Sequence, residues 1–159
     1  IRKKHQKTAP KDRRICKRMN VFQLLTPKSE TMYLEEEATI AAAMDQIRNT
    51  TYTAVPVIRG DGTYAGTISE GDFLWAFLDG KDEDTKGHSA PLSSILQPGR
   101  NPAVKIDVDL NSIFSEAMNQ NFVPVVDDRN MFIGIITRKM VIRYFLDTYR
   151  SKCADLREQ

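Results

Sequence analysis

The chain has 159 residues, of which 28% are charged and 41% hydrophobic, and its formal net charge is +2. No apolar run approaches the length of a membrane span, and the length is enough for one substantial hydrophobic core. The composition therefore predicts a soluble globular protein with no membrane partner.

Basic residues are concentrated at the start of the chain. Residues 1–18 hold nine of the 23 Lys and Arg but one of the 21 Asp and Glu, so residues 19–159 carry a formal charge of −6. The stretch lacks aromatic residues and apolar periodicity, and Met19 directly precedes the first patterned segment. We therefore expect residues 1–18 to be a disordered or non-native extension, with nucleic-acid binding as the less favoured alternative.

Residues 19–79 contain a first set of predicted elements. A proline-containing extended stretch is followed by an amphipathic helix, whose apolar residues recur at helical spacing. Two short apolar strands flank Arg59-Gly60-Asp61-Gly62, which is the pattern of a hairpin turn. A second helix begins near Ser69. These elements cover residues 26–34, 40–47, 55–58, 64–68 and 69–78.

Residues 80–100 form a linker to a second set of elements. Residues 80–90 are charged, bounded by glycine and aperiodic, which indicates a surface loop. We expect residues 148–159 to be a C-terminal tail. Between them, residues 101–147 show the same order of predicted elements, at residues 101–106, 110–117, 123–126, 132–136 and 141–146.

The two sets of elements are copies of one unit. A shift of 68 residues places Val55-Pro56-Val57 on Val123-Pro124-Val125, and Phe77-Leu78-Asp79 on Phe145-Leu146-Asp147. Between residues 55–79 and 123–147, eight of 25 positions are identical without a gap, where about one or two are expected by chance. The sequence therefore predicts an α+β fold in which tandem β-α-β-β-α repeats pack with pseudo-two-fold symmetry.

In each copy, a strand runs into a helix at a hydroxyl residue. We call Ser69–Asp72 the first corner and Thr137–Met140 the second corner. The start of a helix presents free N–H groups to an anion, and an aspartate three residues later can accept the hydroxyls of a ribose. The same Ser-x-x-Asp pattern also describes a structural capping box. In the second corner Met140 replaces the acid, whereas Arg138 and Lys139 add cations suited to phosphate.

These motifs resemble those of the cystathionine-β-synthase (CBS) domain pair, or Bateman module. The resemblance rests on the strand Ala54-Val55-Pro56-Val57-Ile58 and on the two glycine-led corner motifs, GTISEGD at 66–72 and GIITRKM at 134–140. It covers about residues 25–147. The resemblance implies a non-catalytic regulatory module that binds an adenine nucleotide, and it implies two clefts that each combine segments of both copies.

Carried over residue by residue, the resemblance implies two sets of nucleotide-binding residues. The first cleft is expected to combine Ser69 and Asp72 with Ala103, Val104, Asn121, Phe122 and Val123. The second is expected to combine Thr137, Arg138 and Lys139 with Thr31, Met32, Tyr52, Thr53 and Ala54.

The ligand and the partner stay open at this point. AMP and ATP are candidates, and the Tyr52–Pro56 strand with a Thr-Arg-Lys corner also resembles small bacterial CBS proteins that bind cyclic di-AMP. Loss of the acid at Met140 leaves open a module that has lost its ligand and serves only in dimerisation or interaction. The resemblance further implies a homodimer that acts on an unknown regulated protein. The helix faces next to Trp75 are the expected dimer contact.

Other chemistry is not indicated by the sequence. Cys16 and Cys153 lie near opposite ends and no signal-peptide pattern is present, so we expect a cytoplasmic protein without a disulfide framework. His5 and His88 fall in presumed surface segments, and no spacing of ligands indicates a metal site. No nucleophile–base pair or cofactor motif can be assembled, so we expect neither catalysis nor a cofactor.

Overall fold

The computed structural model describes residues 20–79 and 89–155. The predicted basic extension at 1–18 and the greater part of the predicted loop that follows Asp79, including His88, lie outside these residues.

Within the described residues, the predicted β-α-β-β-α order is confirmed in both repeats. The predicted tail is helical as far as Asp155, because the last helix continues without a break. A short strand β1 (Thr26–Pro27) precedes the first repeat, which contains β2 (Leu34–Glu35), α1 (Ile40–Arg48), β3 (Ala54–Ile58), β4 (Tyr64–Ser69) and α2 (Glu70–Leu78). The second repeat contains β5 (Val104–Lys105), α3 (Leu110–Asn119), β6 (Phe122–Val126), β7 (Phe132–Thr137) and α4 (Arg138–Asp155).

The first helix of each repeat begins at a side-chain cap, which fixes where the chain turns from strand to helix. The Ala42 N–H donates to the Thr39 hydroxyl oxygen at 3.2 Å. In the second repeat, the Ser112 N–H donates to the Asp109 carboxylate at 3.1 Å. A cap of this kind satisfies an N–H group that otherwise has no partner within the helix.

The N-terminal part of the chain is shared between the two sheets. β1 pairs antiparallel with β7 of the second repeat, whereas β2 pairs parallel with β3 of the first. The extended stretch predicted at residues 26–34 is therefore two strands in two different sheets, with a 3-10 turn at Lys28–Glu30 between them. The sheets have the orders β1-β7-β6-β5 and β2-β3-β4.

Each hydrophobic core also contains residues from a segment that leads into the other repeat. Val21 and Leu24 precede β2, the first strand in the sheet of the first repeat, but are buried in the core of the second repeat. Leu92 and Ile95 precede the second repeat but are buried in the core of the first. Each repeat therefore covers its apolar sheet with a segment that comes before the other repeat, so neither core is complete without the other copy.

A pseudo-two-fold axis runs between the two hairpins. The Tyr64 N–H donates to the Asn130 carbonyl oxygen at 3.2 Å, and the Phe132 N–H donates to the Gly62 carbonyl oxygen at 3.0 Å. Because Gly62 and Tyr64 match Asn130 and Phe132 at the 68-residue shift, each bond is the symmetry counterpart of the other. The rings of Tyr64 and Phe132 stack across this axis with their centroids 6.2 Å apart.

The apolar helix faces predicted from the sequence are only partly buried. In α2, Ala76 is buried, but Leu74, Phe77 and Leu78 are each more than half exposed. Trp75 is 61% exposed. The apolar surface of α2 is therefore larger than its own core requires, because its far side lies against no described part of the chain.

We predict that Gly134→Ala destabilises the fold. Gly134 has a φ of +156°, and a Cβ at this position would collide with the carbonyl oxygen of Thr26 in the paired strand β1. Backbone strain of this kind costs about 1–3 kcal/mol before the collision is counted, so chemical denaturation should show at least that loss.

The matched control is Gly71→Ala in the first turn of α2. A Cβ there meets only the Ser69 hydroxyl oxygen at 3.6 Å, an ordinary contact distance. Alanine favours a helix over glycine by about 0.5–1 kcal/mol, so this variant should be unchanged or slightly more stable. An equal stability for both variants would contradict the proposed close approach of β1 to β7.

Candidate functional site

The first corner holds a buried carboxylate. Asp72 is 5% exposed, and its Oδ2 atom accepts hydrogen bonds from the backbone N–H and the hydroxyl of Ser69, both at 2.7 Å. The N–H bond is the acid's half of the capping box that the sequence indicated as an alternative role. One oxygen of the carboxylate is thereby committed to the start of α2.

The other oxygen of Asp72 is taken by the segment that precedes β5. We call residues 97–103 the second crossing segment, because it leads from the core of the first repeat to the sheet of the second. Gln97 donates to Asp72 Oδ1 from its side-chain amide at 3.2 Å, and Arg100 forms an ion pair with the same oxygen. A ribose hydroxyl could donate to this carboxylate only after displacing one of these donors.

Tyr64 fixes the second crossing segment against the first repeat. Its hydroxyl donates to the carbonyl oxygen of Asn101 at 2.8 Å and lies at the same distance from the Thr67 hydroxyl. Burial raises the pKa of Tyr64 from 10 to about 12, so the phenol, which is protonated at neutral pH in any case, also remains a hydrogen-bond donor in alkaline solution. The first corner is therefore closed by contacts within the chain.

The second corner is built differently. The Met140 N–H donates to the Thr137 hydroxyl oxygen at 3.2 Å, so this corner keeps the hydroxyl half of a cap. The Met140 side chain packs against the core of the second repeat. No carboxylate stands in its place, and the Thr137 hydroxyl is bonded only to the helix start among the described residues.

The two cations of the second corner point away from it. The Arg138 guanidinium donates to the carbonyl oxygens of Ala117 and Gln120, at 2.9 and 2.8 Å. It thereby satisfies carbonyl groups at the end of α3, where a cation also opposes the negative end of the helix dipole. Lys139 lies in a groove along α4. Their predicted contact with phosphate is not formed in this arrangement and stays a prediction.

An open cleft of about 330 Å³ lies between the two repeats. One wall comes from residues 28–33, which lead from β1 to β2 and which we call the first crossing segment. The rest of the wall is the start of β3, the start of β6 and the end of β7. The lining residues are Thr26, Glu30, Thr31, Met32, Thr51, Tyr52, Thr53, Ala54, Val55, Pro56, Asn121, Phe122, Ile135 and Thr137.

The chemistry of the open cleft suits a small ligand with an apolar flat part and several hydroxyls. Val55, Pro56 and Phe122 supply apolar surface, and the threonines and Asn121 supply donors and acceptors. Asn121 also contacts Thr53 across the pseudo-two-fold axis, with 3.5 Å between Nδ2 and Oγ1. This combination of apolar surface with a few polar groups is typical of ligand sites.

The structure brings most of the second predicted set together and divides the first. Thr31, Met32, Tyr52, Thr53, Ala54 and Thr137 line the open cleft, whereas Arg138 and Lys139 do not. Asn121 and Phe122, expected in the first cleft, line the same cleft. Val123 is fully buried, Val104 packs in β5, and Ala103 lines a separate pocket at the hairpin tips. Ser69 and Asp72 form the closed first corner.

Six residues that line the cleft were not among the predicted binding residues: Thr26, Glu30, Thr51, Val55, Pro56 and Ile135. Glu30 lies in the extended stretch that the sequence assigned to one strand, and no motif marked it. The only available signal was its position directly before Thr31, which the resemblance had already selected.

Among residues 20–79 and 89–155, no cluster of three or more His, Cys, Asp or Glu side chains is placed to hold a metal ion. The same residues include no helix that is long and apolar enough to cross a membrane.

The chain belongs to the CBS-domain family. The family model for the CBS domain matches residues 22–79 and 93–147, one match in each repeat. A search of curated protein sequences gave no significant match.

Solved structures share the fold along most of the chain. CbpB in complex with c-di-AMP is 21% identical, with a TM-score of 0.79, over 86% of this chain and 91% of that one. CbpB from Streptococcus agalactiae is 23% identical, with a TM-score of 0.72, over 86% and 84%. CBSX2 in complex with AMP is 23% identical, with a TM-score of 0.67, over 80% and 96%.

We predict that Arg138→Ala destabilises the protein and that Lys139→Ala does not. The Arg138 guanidinium makes two charge-assisted bonds to the end of α3, and the loss of such bonds costs about 1.5–3 kcal/mol. Lys139 is exposed, and substitutions of this kind change stability by less than about 0.5 kcal/mol. Urea denaturation of both variants provides the measurement. Equal stabilities would show that Arg138 does not hold α3.

Proposed function

We propose that the protein is a non-catalytic regulatory module that binds an adenine nucleotide in the open cleft and reports its presence to a partner protein. The observation that carries this proposal is the open cleft itself, which both repeats build and which has an apolar floor and a rim of hydroxyl groups. Its volume of about 330 Å³ lies near the lower end of the range for small-molecule sites.

The parts of the cleft correspond to the parts of a nucleoside. A base can lie against the apolar strand residues Val55 and Pro56, with the Phe122 ring nearby. Hydroxyl and amide groups at Thr53, Asn121 and Thr137 are available to the sugar and to the base edge. The N-terminal end of α4 begins directly after Thr137 and favours an anionic group there.

A ligand in this cleft would couple the repeats to their helices. The Glu70 N–H at the start of α2 donates to the Thr53 carbonyl oxygen at 3.1 Å, and the Arg138 N–H at the start of α4 donates to the Asn121 carbonyl oxygen at 3.0 Å. A ligand that holds Thr53 and Asn121 at a new separation therefore shifts both helices. Such a ligand regulates because its affinity differs between the arrangement of the helices described here and the shifted arrangement.

Cyclic di-AMP is the second candidate ligand. CbpB, which shares the fold at a TM-score of 0.79, was solved in complex with c-di-AMP, and CBSX2 was solved with AMP. Both ligands contain adenosine, so either could place one base in the open cleft. A cyclic dinucleotide also needs room for a second nucleoside, which the cleft offers only through its open side.

Dimerisation through the helices is the second part of the proposal. Leu74, Trp75, Phe77 and Leu78 of α2 are 54–65% exposed, and Phe145 and Leu146 of α4 are about half exposed. Apolar patches of this extent on one face mark an interaction surface. A second copy of the chain is the partner that we propose, because matching grooves lie between α1 and α2 and between α3 and α4.

We predict that AMP, ATP or cyclic di-AMP binds in the open cleft and that Ala54→Phe abolishes this binding. Ala54 lines the cleft, so a phenyl ring at this position fills the space for the ligand. Calorimetry with the three ligands measures affinity directly, and ligand at 100 times Kd should stabilise the fold by about 2.7 kcal/mol.

The matched control is Ala42→Phe on the exposed surface of α1, which should bind like the wild type. Equal affinities of both variants would show that the ligand binds outside the open cleft. No binding of any of the three ligands by the wild type would favour a module that serves only in interaction.

We predict a homodimer that Trp75→Glu weakens. A charge at this 61% exposed position would be desolvated if the α2 face is buried against a second copy. Light scattering at micromolar concentration should show a dimer mass for the wild type and a lower mass for the variant. Phe22→Glu is the control, because Phe22 is 60% exposed but lies outside the four helices. A monomer mass for the wild type contradicts the dimer.

A further inference from the structure

The open cleft contains a single charged residue. Glu30 is the one Asp, Glu, Lys or Arg among the described residues that line it. The Glu30 side chain is exposed, and its carboxylate makes no hydrogen bond or ion pair within the described part of the chain. An exposed carboxylate on a residue that lines the cleft, without a protein partner, is available to donors on a ligand.

The backbone around Glu30 holds it at the cleft. Glu30 ends the 3-10 turn Lys28–Glu30, and the Thr31 N–H closes this turn on the Lys28 carbonyl oxygen at 3.2 Å. The Thr31 hydroxyl donates to the Pro27 carbonyl oxygen at 2.9 Å. Because Thr31 is only 9% exposed, these bonds fix the direction of the turn and with it the position of Glu30.

The first corner and the open cleft are related by the pseudo-two-fold axis, but their charged residues lie on opposite elements. Strand pairing matches Leu34 with Val104, so Glu30 in the first crossing segment falls on Arg100 in the second when counted back from these strands. At the first corner, the acid is on the helix as Asp72 and the cation is on the crossing segment as Arg100. At the second corner, α4 has Met140 where α2 has Asp72, and the crossing segment that lines the open cleft carries Glu30.

We infer that Glu30 is the carboxylate that binds the ribose of a nucleotide in the open cleft, in place of the acid missing at Met140. This inference rests on the proposed function. The 2′- and 3′-hydroxyls of a ribose are two adjacent donors, and one carboxylate can accept both in charge-assisted hydrogen bonds. Glu30 thereby makes the cleft selective for ribonucleosides over deoxyribonucleosides.

The test compares Glu30→Gln with the wild type for binding of adenosine, 2′-deoxyadenosine and AMP by calorimetry. The variant removes the charge and keeps the shape of the side chain. Loss of a charge-assisted hydrogen bond corresponds to about 10- to 150-fold in affinity. We expect Glu30→Gln to lower the affinity for adenosine and AMP by about tenfold or more. The affinity for 2′-deoxyadenosine should fall clearly less. The ratio of adenosine affinity to 2′-deoxyadenosine affinity should therefore be smaller for Glu30→Gln than for the wild type.

Glu35→Gln is the matched control, because Glu35 is an exposed glutamate of β2 that does not line the cleft. It should bind all three ligands like the wild type. Adenosine carries no phosphate, so its loss of affinity reports the sugar contact and not charge repulsion. If Glu30→Gln tightened AMP and left adenosine unchanged, Glu30 would act only by repelling phosphate and the inference would be overturned.

The two levels of the proposal can fail separately. One result is that the wild type and Glu30→Gln bind adenosine with the same affinity and show the same ratio of adenosine to 2′-deoxyadenosine affinity. This result overturns the assignment of Glu30 and leaves the proposed function standing. A wild-type protein that binds neither these ligands nor ATP and cyclic di-AMP overturns both.

Discussion

The exchange of N-terminal segments between the two repeats is the constraint on which the rest of the structure depends. Val21 and Leu24 complete the core of the second repeat, and Leu92 and Ile95 complete the core of the first. Each segment must then cross from one repeat to the other before it joins its own sheet. Because apolar burial supplies most of the stability of so small a core, neither crossing can be withdrawn without exposing the core that it covers.

The crossings also shape the surroundings of the two corners. Each crossing segment passes in front of a corner where a strand becomes a helix, and its side chains decide whether that place is filled. In one place Arg100 and Gln97 satisfy the carboxylate of Asp72, so the protein supplies the partners of its own acid. In the other place the corner acid is absent and a cleft of about 330 Å³ remains. Duplication therefore produced two similar backbones with different electrostatic properties.

The link between cleft and surface follows from the same geometry. Thr53 and Asn121 line the cleft, and their carbonyl oxygens accept from the first N–H groups of α2 and α4. These two helices carry most of the exposed large apolar side chains among the described residues, including Trp75. The cleft is thus joined to the start of each of these two helices by one backbone hydrogen bond.

Sequence by itself determined the duplication, the order of the elements and which residues form the two corners. These features follow from local patterns, because apolar periodicity, turn residues and a 68-residue repeat are readable without knowledge of contacts. Only the tertiary structure decided which segment covers which core, that Arg100 reaches Asp72, that Arg138 turns to the end of α3, and that Glu30 lines the open cleft. Each of these depends on residues far apart in the chain or on the direction of a side chain. Such properties arise when the two copies pack together, and a linear pattern does not encode them in readable form.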